Sequence, residues 1–200
     1  MLVPYGQKLQ VTSVRETSAA RAPIRALSEY LKTVRFSEPV SGSDRFQVVQ
    51  DGKSDPEDLA DYPSVAVYAE GPVRYGAEDG NLEPVSTVDV DDKAALLVGD
   101  IQTTLLVHVW TNEDEHREIV MQALEDAFSP NEWMSGFQLE MPHYHNGRAT
   151  YQITELVFED SPDDVARRYR KLVVQLQVRS PYVRLFSIPK ILPRNRVEVG

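Results

Sequence analysis

The stretch Tyr169–Arg179 (YRKLVVQLQVR) alternates without a break. Leu172, Val174, Leu176 and Val178 fall on one side of an extended chain, and Val173, Gln175, Gln177 and Arg179 on the other. A period of two belongs to a β-strand with one face in a core and one face wet or against a partner. A second run, Ile101–Trp110 (IQTTLLVHVW), is rich in branched and aromatic residues and also reads as a strand. Chains built on such strands must cover one face of a sheet, so the question becomes what covers it.

Two helical patterns supply the cover. From Ala20 to Val34, apolar residues recur at steps of three and four (Ala20, Ile24, Leu27, Leu31, Val34). Thr17 or Ser18 is placed to cap this helix. Pro23 fits only in a first turn, so the helix begins near Arg21 or Ala22 and ends before Pro39. A second helix follows Trp110 directly. Thr111 is read as its cap, Glu113, Asp114 and Glu115 suit the positive end of its dipole, and Ser129-Pro130 stops it near Phe128.

Further strands are expected at Arg45–Gln50, Ser64–Ala69, Val85–Val90, Phe137–Met141 and Thr150–Glu159. Thr150–Glu159 and Tyr169–Arg179 are close in sequence, so they are expected to pair antiparallel. Residues 70–83 carry Gly71, Pro72, Gly76, Gly80 and Asn81 and read as an exposed arm, either a long loop or a hairpin. The expected fold is α+β: a mainly antiparallel sheet flanked by two helices. One domain over residues 1–180 is followed by an extended, Pro-rich, basic tail over 181–200.

The 200 residues suffice for a sizeable core without staples, and there is no cysteine. That excludes disulfides, thiolate zinc sites and Cys nucleophiles, and suits a reducing compartment. No membrane span and no secretory leader is expected. The net charge of −10 opposes tight binding to nucleic acid.

No motif of a common enzyme class is present, and neither a catalytic residue nor a cofactor is expected. His143 and His145 in MPHYHNG would share one face of a strand, as a metal pair requires. Spacing fixes no third ligand, and Asn146-Gly147 makes them neighbours of a hairpin turn. Glu155, Glu159, Asp160, Asp163 and Asp164 read as a solvated turn rather than paired catalytic carboxylates. His108 points away from Val107 and Val109 and reads as a structural or interface residue; His116 reads as solvent-facing. Arg167, Arg168, Arg170 and Lys171 form a basic cluster after the acidic link, suited either to ion pairing with a neighbouring copy or to simple solvation.

The order of these segments resembles the tail terminator (tail completion) proteins in the neck of long-tailed bacteriophages. The likeness covers about residues 17–180: an N-terminal helix, a strand, a glycine-rich arm and IQTTLLVHVW leading into TNEDEHREIVMQALEDAF. TYQITELVFED and RRYRKLVVQLQVRS complete it. The resemblance implies a small α+β subunit that closes into a hexameric ring on the tail tube. Its partners would be the tube, the sheath where there is one, and head-side connector or stopper proteins. Genomic DNA would cross the lumen without sticking. It implies a structural virion protein made in the host cytoplasm. On this reading Arg167, Arg168, Arg170, Lys171, Val173, Gln175, Gln177 and Arg179 meet neighbouring subunits. The alternatives are another neck, tube or baseplate part such as a head–tail stopper, or a small metal-dependent hydrolase using His143 and His145.

Overall fold

The computed structural model describes residues 17–49, 63–77, 83–86, 93–129, 136–142, 144, 147–160 and 170–187. Helix α1 spans Ala22–Leu31 and helix α2 spans Asp114–Ala127. The strands are β1 (Gln47–Val48), β2 (Ser64–Ala77), β3 (Glu83–Ser86), β4 (Lys93–Thr111), β5 (Phe137–Met141), β6 (Gly147–Phe158) and β7 (Arg170–Ser187). Six of them lie in the order β1-β2-β4-β7-β6-β5, and β3 pairs with β4 off that path. Every pairing is antiparallel except β1 with β2. The architecture is the α+β fold expected from the alternation.

The central ladder is β4 against β7, from Thr111–Arg170 at one end to Lys93–Ser187 at the other. As the period-two pattern requires, Leu172, Val174, Leu176 and Val178 are all buried, facing Val109, Val107, Leu105 and Thr103 across the strands. Helix α1 packs on both β5 and β2, which lie towards opposite ends of the sheet order, so the sheet curls around it. Helix α2 packs beside it on β4 and β7. A column of rings runs through this core: Phe128 stacks on Phe137 at 4.9 Å, and Phe137 stacks on Tyr151 at 5.0 Å. Two hydroxyls pin the helices. Tyr151 donates to the carbonyl of Pro23 at 2.8 Å, and Tyr30 donates to the carbonyl of Ala127 at 2.8 Å. Burial raises the pKa of both phenols above the ordinary value, because it disfavours the charged phenolate.

Several local expectations are corrected. Pro23 does sit in the first turn, but no side chain caps α1; the carbonyl of Ser18 accepts from Arg21 and Ala22 instead. The N-cap of α2 is Glu113, not Thr111, whose hydroxyl donates to the Glu113 carbonyl at 3.2 Å. Residues 70–77 are not loop: β2 runs on to Ala77 along β4. Gly71, at φ 71°, and Pro72 fall where the register shifts between Glu70 and Arg74. A β-bulge admits a left-handed glycine and a proline without an N–H, so the turn-forming residues here kink a strand rather than end it. Of the strand expected at Val85–Val90, residues 87–90 lie outside the described residues; the rest belongs to β3, which continues beside β4 where β2 stops. Strand β7 likewise extends through Pro181 to Ser187, into the segment expected as a tail.

Candidate interaction surface

The helices cover one face of the sheet. The opposite face is a set of cross-strand rows. Arg74, Gln102, Arg179 and Thr150 form one row, and Glu70, Thr104, Gln177 and Gln152 form the next. These residues line an open groove of about 650 Å³. Amides and hydroxyls dominate it. Of its two cations, Arg74 and Arg179, the second is 67% exposed and reaches Asp100, which is only 16% exposed, at 2.5 Å. Such a face presents many hydrogen-bonding groups together with the charges of Glu70, Arg74 and Arg179.

Further along the same face the character changes. His108 does point away from Val107 and Val109, and its ring lies 4.8 Å from that of Tyr68 and 5.7 Å from that of Trp110. Trp110, Ala66 and Val173 are buried there. Alternation alone placed Val173 on the outward face with Gln175, Gln177 and Arg179, and all four do share that face. Only the last two are exposed; Gln175 is half-buried and Val173 is 7% exposed. Val173 is therefore packed among its cross-strand neighbours His108 and Val157. Nothing local marks this, since the burial comes from strands distant in sequence.

The basic cluster is divided. Arg167 and Arg168 lie outside the described residues. Arg170 and Lys171 are consecutive in a strand, so they point to opposite faces and do not form one patch. Arg170 donates to Asp114 at 2.9 Å on α2. Lys171 pairs with Glu159 at 3.3 Å, and its backbone N–H donates to Asp160 at 3.0 Å. Arg117 completes the network. It bonds Asp160 at 2.6 Å and Asp114 at 3.1 Å, and stacks over Phe158 at 4.3 Å. These cations tie α2, β6 and β7 together. Sequence reasoning missed Arg117, whose partners outside α2, Phe158 and Asp160, lie far along the chain.

Of the acids weighed as a paired-carboxylate site, Glu159 and Asp160 are committed to this network, Glu155 is exposed, and Asp163 and Asp164 lie outside the described residues. His143 and His145 lie outside them too. Among the described residues no three His, Asp or Glu side chains come together as a metal site would require. His116 does not face solvent freely: its Nδ1 is 2.7 Å from the Asn112 side-chain oxygen, which also accepts from Ser41 at 2.9 Å. No described helix is long and apolar enough to cross a membrane. No protein-family model matches the chain, and no curated protein matches it significantly.

Proposed function

We propose that the chain is a structural subunit of a phage particle: a tail terminator that forms a homo-oligomeric ring between the tail tube and the head-side connector. The observation that carries this reading is the β4–β7 ladder. It continues past Ile101 and Ser180 to Lys93 and Ser187, with β3 taking the place of β2 beside it. The wet side of the ladder carries hydrogen-bonding side chains along an open groove instead of a converging set of titratable groups. A ring subunit needs extended strands, arms and polar faces that meet copies of themselves. The order α1, bulged β2, β4 leading straight into α2, then paired β6 and β7 supports the same reading. Gln177 and Arg179 are the outward residues of β7 that meet a neighbour, and the ring carries its genome past a net-negative protein.

Mass photometry of the purified full-length protein tests the ring, with six subunits expected. Imaging of particles carrying a labelled subunit tests its place. A protein monomeric at every concentration and absent from particles overturns the reading, and a label at the baseplate moves it to another tail part.

A further inference from the structure

Strand β5 ends the sheet order, so among the described strands nothing pairs with its outer edge. The two edges of the sheet differ. At the far side β1 is two residues long, which leaves little to pair with. β5 has five residues, runs along β6 without a register shift, and contains neither proline nor lysine. Short strands, bulges, prolines and lysines keep an edge from pairing with another chain, and β5 uses none of them.

A groove of about 360 Å³ lies between β5 and α1. Its walls are mainly apolar: Ala22, Ala26 and Tyr30 from the helix, and Leu139, Met141 and Pro142 from the strand and the turn after it. Leu139 and Ala26 are only partly buried there. Arg25 and Glu29, both exposed, stand about one turn apart on the flank of α1 that lines the groove. Arg25 donates to Thr17 at 3.2 Å, and Lys32 donates to Glu29 at 2.7 Å. Exposed pairs of this kind hold little energy, so both side chains can be redirected.

We infer that β5 pairs antiparallel with β5 of a second copy, about a two-fold axis at Leu139, joining two sheets edge to edge. An axis between two antiparallel strands stands perpendicular to the sheet, so it also sets α1 antiparallel to its counterpart. A two-fold contact requires a surface complementary to itself, and this one is so in both layers. In the sheet, Gln138 falls opposite Glu140 of the second copy, an amide donor against a carboxylate. In the helices, reversal about Leu27 sets Arg25 opposite Glu29 of the second copy, and Glu29 opposite its Arg25. The apolar walls of the two grooves then cover one another. The contact uses neither Gln177 nor Arg179 and does not depend on the ring. It joins two copies where no ring forms, and two rings face to face where one does.

Sedimentation velocity of the full-length protein over a concentration series reads this step as a doubling of mass. Arg25→Glu and Glu29→Arg are each expected to raise its dissociation constant about tenfold. An equal mixture of the two variants restores it, because unlike chains then match at both charge pairs. The chain has no cysteine, which allows a second reading. Gln138→Cys chains mixed with Glu140→Cys chains should cross-link under mild oxidation, and either variant alone at least tenfold more slowly. Opposite positions lie within disulfide reach, whereas diagonal ones, about 7–8 Å apart, do not. Circular dichroism checks folding; Arg25→Gln or Glu29→Gln, with a smaller loss expected, replaces a charge reversal that does not fold. A doubling step unmoved in every variant, or cross-linking as fast in one variant alone, overturns the pairing and leaves the ring reading standing. Doubling without rings overturns only the ring, and a protein monomeric at every concentration overturns both.

Discussion

Replacing Tyr151 by Phe removes one oxygen from the centre of the fold and leaves the ring that stacks on Phe137. That oxygen donates to the carbonyl of Pro23, in the first turn of α1. The carbonyl sits where the helix itself supplies an N–H four residues on, so the substitution leaves no orphaned acceptor. The expected loss is therefore the net value of one hydrogen bond, about 1 kcal/mol, and not the larger penalty of a buried unsatisfied group. For a chain of this size that lowers Tm by about 2–4 °C. The pH dependence adds a second signature. Burial raises the Tyr151 pKa above its ordinary value, so the folded protein keeps the proton where the unfolded chain releases it. The sign is then fixed: stability is unaffected below about pH 10 and falls above it, by up to about 1.4 kcal/mol per pH unit for this group. Urea titrations at pH 8 and pH 11 on both proteins measure this, with the slope m unchanged. The Phe variant should be the weaker protein at pH 8 and lose less on going to pH 11. An equal alkaline loss in both proteins would refute the assignment of that loss to Tyr151.

Other substitutions probe separate features. Gly136→Ala should cost at least about 2 kcal/mol by chemical denaturation, because φ is 83° and the new methyl would meet the Tyr151 carbonyl oxygen at 2.0 Å. Arg117→Met keeps an apolar stem over Phe158 but removes the bonds to Asp114 and Asp160; a loss of about 1–2 kcal/mol is expected, with a flatter response to salt. Trp110→Ala, on the face away from the helices, should cost about 3–5 kcal/mol as a buried large-to-small change. A cost below 1 kcal/mol there would show that the outer apolar cluster is not part of the core.

Where one period governs burial, the amino-acid order was enough. Leu172, Val174, Leu176 and Val178 could be assigned to the core from spacing alone, and β5 was read to its last residue. The failures share a cause, which is that the deciding partner lies far away in the chain. Gly71 and Pro72 signal a turn until β4 is placed alongside, when they become a bulge. Val173 reads as wet until His108 and Val157 flank it. Arg170 and Lys171 read as one free patch until Asp114 and Glu159 take one each, on opposite faces. Of the outward surface, Gln177 and Arg179 were legible from alternation, whereas Gln102 and Thr150, which flank Arg179, emerge beside it only from strand order.

The β4–β7 ladder also bears on how the chain is made. Its partners include Thr111 with Arg170 and Lys93 with Ser187, so the middle of the sheet closes only after most of the polypeptide exists. Pairing across such separations is slow compared with helix formation, because a large loop must be ordered before the contacts reward it. During synthesis β4 can pair with β2 early, but its other edge stays open until β7 emerges. An unpaired edge as long as β4 is a site for wrong pairing with other nascent chains. Truncation before Arg170 should therefore yield aggregates rather than a smaller soluble domain, and slowing translation between β4 and β7 should lower the yield of the intact chain.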